Sequence, residues 1–315
     1  MKRTIQAVTL RSEKHFGRKV PPKAFGELLR VFPEIIRASI RMAFESRSQA
    51  SGARPRWLTE ASDIRFLDHS GDDETVLHFD APKIGDAAKV LYRQLEIWPT
   101  RPDPNDTGFD LLGDVINDVS SGNADSNRFD RRLLAQIERF RHGLSGAFQS
   151  IEYFGNRHKP NHPIVISAQV IDAATKLSRS TPESQQARLV GTLDMIRSST
   201  NAFAVKLDDG NEVAGVLLEG KVAQIRPLLE RKVLVLGKAI YRPSGRLLRL
   251  DADEVIDATE QGHFFSRIPK PQRSRIDLHE VLKEQRHKKG ISAIFGQWPG
   301  EETDEEVALA LNEVH

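Results

Sequence analysis

Hydrophobic positions in residues 1–180 alternate between strand-like and helix-like spacing. The segment KRTIQAVTL, residues 2–10, alternates apolar and polar side chains, which predicts a strand. From Pro22 to Ile40 the apolar residues recur at helical spacing, and we expect Pro33 to kink or divide that helix. Two more strands flank a turn signal at 70–73, which predicts a hairpin. Further helices are predicted over residues 84–98, 128–142 and 170–178. We therefore expect a mixed α/β domain over residues 1–180.

The pattern changes over residues 187–257, where five strand-like segments follow one another. Asp209-Gly210 marks a tight turn between the second and third strands, and Pro243-Ser244-Gly245 marks one between the fourth and fifth. A short helix is predicted over 221–230, between the third and fourth strands. The order β-β-β-α-β-β is that of the oligonucleotide/oligosaccharide-binding (OB) barrel. We expect a five-stranded OB-like barrel, with an SH3-like barrel or another small curved sheet as the alternative.

Residues 258–315 are predicted to form a connector and an extended arm with short helices. The stretch 267–289 is basic, with eight Lys or Arg against three acids, and its first part is rich in proline. The C-terminal arm, residues 290–315, begins after Lys288-Lys289. The fold class is thus α+β, with a mixed α/β domain, a small barrel and an arm.

Composition and charge narrow the picture. The chain of 315 residues contains no cysteine, which excludes disulfides and thiolate chemistry and fits a reducing cytoplasm. It has no apolar run of about 18 residues and no signal-peptide pattern, so we expect a cytoplasmic protein without a membrane partner. The net charge of +2 hides an asymmetry, because the C-terminal arm carries six carboxylates and no Lys or Arg. Such an arm either folds onto its own basic body or binds a basic partner.

One cluster of carboxylates is a candidate for catalysis. Asp110, Asp114 and Asp118 follow one another at i, i+4 and i+8, a spacing that aligns them on one helix face and can bind Mg²⁺. The neighbouring apolar residues describe an amphipathic helix, whose opposite face is normally solvated. We favour the solvated face and expect a protein that is not an enzyme and needs no cofactor. A metal-dependent enzyme is the least favoured hypothesis.

The predicted barrel supplies candidate residues for binding nucleic acid. OB domains contact the backbone with basic side chains and stack bases on aromatic rings. Tyr241 is the one aromatic side chain that we expect to stack a base. The candidates for this surface are Arg197, Lys206, Tyr241, Arg242, Arg246 and Arg249.

The C-terminal arm combines large apolar anchors with a short amphipathic helix. Thr303 and Glu306 form a capping box at the start of that predicted helix. Its apolar positions recur at i, i+4 and i+7, and a helix of about three turns is too short to be stable alone. Trp298 is of the residue type enriched at interface hot spots. The arm therefore needs a surface, which is either a partner or the body of the same chain.

The sequence IFGQWPGEETDEEVALALNEV resembles the C-terminal arm of bacterial antitoxins that are paired with PIN-domain ribonucleases. The match covers residues 294–315, with Phe295-Gly296 and Trp298-Pro299-Gly300 followed by acids up to Glu306. The resemblance implies an arm that wraps a ribonuclease toxin, whose active site holds Mg²⁺ on carboxylates. The side chains that it implies for partner binding are Ile294, Phe295, Trp298, Pro299, Val307, Leu311 and Val314.

The remainder of the chain departs from that family. Those antitoxins are short proteins with a DNA-binding head, whereas here residues 1–257 form a different and larger body. Our leading hypothesis is a non-enzymatic, antitoxin-like protein that neutralises a PIN-type ribonuclease. The alternative is a DNA- or RNA-binding protein that uses the barrel and the basic segment, with the acidic arm docked in cis.

Overall fold

The fold was analysed in a computed structural model. It describes residues 2–92, 101–144, 146–156, 162–218, 222–258 and 266–271, which all belong to one compact unit, Met1–Pro271. The C-terminal arm lies outside the described residues. No helix in the described part of the chain is both long and apolar enough to cross a membrane.

The first half of the body contains an antiparallel sheet of five strands. They are β1 (Arg3–Arg11), β2 (Arg65–Ser70), β3 (Thr75–Pro82), β4 (Ser150–Tyr153) and β5 (Ile164–Ser167), in the spatial order β2-β3-β1-β4-β5. The predicted first strand and the predicted hairpin around residues 70–73 are confirmed. Along β3, buried Leu77 and Phe79 alternate with half-buried His78 and Asp80, so one face of the sheet points into a core.

Helices cover that face of the sheet. They are α1 (Pro22–Glu45), α2 (Arg56–Ala61), α3 (Ile84–Ala87), α4 (Gly108–Ser120), α5 (Arg131–Ile137), α6 (Phe140–Leu144) and α7 (Ala168–Ser180). Phe32 of α1 lies at the centre of this core, with its ring centroid 5.0 Å from that of Phe140, 5.9 Å from Phe79 and 6.0 Å from Phe109. Burial of such rings is the largest source of stability in a domain of this kind.

Three helix predictions need correction. Pro33 does not divide helix α1, which runs through it to Glu45; the C-cap residue, Ser46, takes a left-handed conformation with φ 55°. The segment predicted as one helix over 84–98 contains α3 and a 3₁₀ turn at Lys89–Tyr92, and its remainder lies outside the described residues. The helix predicted over 128–142 is broken into α5 and α6.

The second half of the body is a closed five-stranded barrel. Its strands are β6 (Gln185–Arg197), β7 (Ala202–Lys206), β8 (Glu212–Leu217), β9 (Lys232–Tyr241) and β10 (Leu247–Asp257). They pair in the cyclic order β6-β7-β8-β10-β9, with β8 and β10 parallel and the other pairs antiparallel. This connectivity is that of the predicted OB-like barrel. The element between β8 and β9 is a 3₁₀ helix, Val222–Leu228, in place of the predicted α-helix; it contains Pro227, which lacks the N–H that an α-helix requires.

One glycine shows how the barrel closes around its core. Gly215 lies within β8, opposite Phe203 of β7, and a Cβ at this position would overlap the Phe203 ring. The ring fills the space that the absent side chain leaves inside the barrel. A glycine within a strand here permits the close approach of a neighbouring ring.

Candidate functional site

An OB barrel binds its ligands on one defined side. That side comprises the face of the second and third strands, the loop between the first two strands, and the loop between the last two. Here these are β7 and β8, residues 198–201, and the turn 242–246. A predicted residue can contact nucleic acid in the manner of an OB barrel only if it reaches this side.

The turn between β9 and β10 is docked on the helical half of the body. The backbone N–H of Ser244 donates to the Ala124 carbonyl at 3.1 Å, and its hydroxyl donates to Asp125 Oδ1 at 2.5 Å. Arg246 forms an ion pair with Asp125 Oδ2 at 3.4 Å, although its side chain remains 73% exposed. In this protein the turn contacts the chain's own α4–α5 connection, while Ser244 and Arg246 also remain exposed.

Arg249 was expected to contact nucleic acid, and this expectation is wrong. Only 5% of the residue is exposed, and its guanidinium donates to the Ser46 carbonyl at 2.7 Å and to Asp251 Oδ1 at 2.6 Å. A third partner is Asp130, whose Oδ2 lies 3.5 Å from Arg249 Nη1. The side chain therefore joins β10 to the C-terminal end of α1 and to the start of α5. Its positive charge is therefore compensated by contacts inside the protein and does not face a ligand.

Tyr241 was expected to stack a base, and this expectation is also wrong. Its ring is 1% exposed and belongs to the hydrophobic core of the barrel. Burial raises the pKa of its hydroxyl above the ordinary value. A ring enclosed by the barrel presents no face to a ligand, so the barrel loses its one predicted stacking platform.

The other predicted barrel residues lie in different environments. Arg242 is half-buried, burial lowers its pKa, and its Nε is enclosed without a hydrogen-bond partner among the described residues. Arg197 and Lys206 lie on neighbouring strands at opposite ends of the β6–β7 pairing, where Arg197 faces Ala202 and Lys206 faces Thr192. Lys206 is exposed and Arg197 is half-buried. The structure thus does not gather the six predicted residues on one surface.

The aspartates of α4 are engaged in structural contacts. Asp110 is fully buried, and its Oδ2 accepts hydrogen bonds from the Thr107 N–H at 2.8 Å and the Thr107 hydroxyl at 2.9 Å. Asp118 accepts from the Ser126 hydroxyl at 2.6 Å and pairs with Arg128 at 3.0 Å. Among the described residues, no group of three or more His, Cys, Asp or Glu is placed to hold a metal ion. The solvated face that we predicted is wrong for Asp110, which instead caps the helix.

A basic surface that sequence reasoning missed lies beside α1. Two adjoining cavities of about 660 and 310 Å³ share Arg37 of α1 and Arg54 of the α1–α2 loop in their walls, and Arg41 lines the smaller one. We call this feature the arginine cleft. The only sequence signal is the i, i+4 spacing of Arg37 and Arg41, which places both on one helix face. Arg54 joins them through the fold of the loop, and that fold is not readable from a local pattern.

All residues predicted to bind a partner through the C-terminal arm lie outside the described residues, as does most of the basic segment 267–289. Comparison with protein-family models, with curated proteins and with solved structures found no match to this chain. The residues of the chain itself are therefore the basis for proposing its function.

Proposed function

We propose that this protein is a non-enzymatic, partner-binding protein that neutralises a PIN-type ribonuclease through residues 294–315. The observation that carries the proposal is the sequence of the arm, in which Phe295, Trp298 and the acids up to Glu306 match the antitoxin pattern at the same spacing. The match is contiguous, and it combines two rare aromatic anchors with a Pro-Gly break and a capping box.

The chemistry of the arm suits an inhibitor of a ribonuclease. A nuclease that cleaves RNA presents basic groups to the phosphate backbone, and the six carboxylates of residues 290–315 offer it a competing negative charge. Phe295 and Trp298 supply large apolar side chains, which dominate binding energy when they fill pockets. In this proposal the aromatic anchors provide affinity and the carboxylates provide orientation and speed of association.

The contacts within the described body favour a role as a scaffold for binding. The carboxylates that were candidates for metal chemistry cap α4 or pair with Arg128. The docked turn and Arg249 make the barrel a part of the same compact unit as the helical half. We assign the body the role of a scaffold that carries the arm.

The test uses the full-length protein and a PIN-type ribonuclease encoded in its genomic neighbourhood, with cleavage of a labelled RNA as the measurement. Trp298→Ala is expected to raise the inhibitory concentration by about 30-fold, which corresponds to about 2 kcal/mol. Gln297→Ala, which changes the adjacent polar residue, is the matched control and should inhibit like the unmodified protein. Equal inhibition by all three proteins, or none by the unmodified protein, contradicts the proposal.

A further inference from the structure

Positive charge in the arginine cleft exceeds the negative charge that faces it. Three arginines line the smaller cavity, namely Arg37, Arg41 and Arg54, and Arg47 acts on the charge of Arg41. Two carboxylates lie beside this cavity, and both have partners: Glu34 pairs with Arg139, and Glu45 Oε2 accepts from Arg47 Nε at 2.9 Å. The wall of the larger cavity adds two bases and three carboxylates, namely Arg65, Lys89, Glu60, Asp63 and Asp86. Neither Arg37 nor Arg54 forms an ion pair with a described residue. Positive charge is therefore in excess in the smaller cavity, whereas bases and carboxylates nearly balance in the larger one.

The arginines of the cleft disfavour one another's charge. Burial lowers the pKa of Arg37, neighbouring Arg54 and Arg41 lower it further, and Glu34 opposes them. Burial also lowers the pKa of Arg41, with Arg47 and Arg54 acting in the same direction and Glu45 opposing them. An anion placed among these side chains relieves the repulsion, so the site is electrostatically prepared for one.

One donor and one acceptor at the bottom of the cleft lack hydrogen-bond partners among the described residues. Arg41 is 8% exposed, and its Nε makes no hydrogen bond, since the nearest carboxylate oxygen, Glu45 Oε2, lies 3.5 Å away without hydrogen-bonding geometry. Gln136, in the same cavity wall, has a buried Oε1 without a partner among the described residues. Rotation of its amide by a half turn would place the NH₂ group at that position. The cleft thus holds a buried guanidinium with one N–H free of hydrogen bonds, beside an adaptable amide.

The lining of the cleft indicates which kind of anion fits. Guanidinium groups bind phosphate oxygens through paired N–H donors, and they are the preferred residues for phosphate recognition. Neither cavity has an aromatic ring in its wall, so nothing there would stack a base. Because Arg37 and Arg54 border both cavities, a strand with a phosphate in the smaller cavity can continue past them along the larger one. A single strand is flexible enough to bring one of its phosphates into the cleft and close to the recessed Arg41. A duplex is stiffer, and it keeps its phosphates on its own outer surface.

We propose that the arginine cleft binds the phosphate backbone of a single-stranded nucleic acid, without reading its sequence. This site is separate from the predicted barrel surface and does not depend on the proposed function of the C-terminal arm. Binding is expected to be governed by counterion release and to weaken steeply with salt. Trp298→Ala should leave it unchanged.

Fluorescence anisotropy of the full-length protein with a labelled oligouridine, repeated over a range of salt concentrations, tests the proposal. Arg54→Glu is the main variant, because Arg54 lies in an exposed loop and its replacement leaves the helical core intact. We expect it to weaken binding by about tenfold and to reduce the salt slope by about one unit.

Arg56→Glu is the matched control. It makes the same change in net charge two residues away, at a side chain that is 92% exposed, paired with Glu60 at 2.7 Å and absent from the walls of both cavities. We expect affinity to remain within about twofold of the unmodified protein, because exposed charges outside the site are screened by salt. Arg41→Lys, which keeps the charge and removes the planar fork, should weaken binding while the control does not.

Several results would overturn the assignment. Equal losses in Arg54→Glu and Arg56→Glu would mean that only net charge matters. A loss confined to Lys206→Glu would move the nucleic acid to the barrel. Saturation by inorganic phosphate, with no binding of oligouridine, would reduce the cleft to a site for a free anion, and absence of both would remove the site.

Discussion

Arg249 and Asp130 show what single residues contribute to the architecture of this protein. Asp130 accepts hydrogen bonds from the Ser48 N–H at 3.1 Å, the Ser48 hydroxyl at 2.6 Å and the Leu133 N–H at 3.0 Å. Arg249 forms an ion pair with the same carboxylate, and it also donates a hydrogen bond to the Ser46 carbonyl at the C-terminal end of α1. One buried ion pair thereby ties the barrel, α1 and α5 together.

Replacing Arg249 is expected to cost more stability than its position in a strand suggests. Arg249→Met leaves the buried Asp130 and the half-buried Asp251 without their cation, which costs about 3 kcal/mol or more in the free energy of unfolding. Urea denaturation measures this loss. Arg246→Met is the control, since its pair with Asp125 is exposed and contributes about 1 kcal/mol at most. Equal losses in the two variants would show that the buried pair does not join the two halves.

Substitution of Asp110 distinguishes a structural role of this residue from a catalytic one. Asp110→Asn weakens the capping of α4, because an amide accepts poorly from both Thr107 donors, and we expect a loss of about 1 kcal/mol. Thermal unfolding with and without added Mg²⁺ gives the measurement. A melting temperature of the unmodified protein that rises with Mg²⁺, and no longer does so in Asp110→Asn, would revive the metal hypothesis.

At the scale of elements, a glycine within β8 leads to a specific prediction about stability. Gly215→Ala introduces a methyl group into the space filled by the Phe203 ring, and this overpacking is expected to cost about 1–3 kcal/mol of stability. The exposed neighbour Ala214 provides the control, as Ala214→Ser adds an atom on the solvent side of the same strand. Chemical denaturation of both variants distinguishes a packing effect from a change in strand propensity. A neutral Gly215→Ala would mean that the ring does not occupy the barrel interior as described.

Strands were more predictable from the sequence than helices and side-chain roles. The alternation in residues 2–10 and in the barrel strands is a local signal, and it identified β1 and the order of the barrel. The helix expected over 221–230 is a 3₁₀ helix because Pro227 removes a donor, whereas Pro33 is accommodated within α1. Periodicity does not report whether the surrounding packing will tolerate such a residue.

At the scale of the whole molecule, tertiary docking decides which residues are free to function. The turn 242–246 has the position of a ligand-binding loop in an OB barrel, yet it contacts Ala124 and Asp125. Tyr241 and Arg249 look like binding residues in the sequence, but Tyr241 is enclosed in the barrel core and Arg249 is buried against Ser46 and Asp130. The arginine cleft was missed for the converse reason, since Arg54 and Gln136 reach α1 only in the folded chain.

The most direct test of the proposed function is hydrogen exchange of the full-length protein, measured with and without the PIN-type ribonuclease. The account predicts that the partner adds protection to amides within residues 294–315 and leaves the barrel strands unchanged. Added protection in β6 and β7, with none in residues 294–315, would contradict it and would place the partner on the barrel.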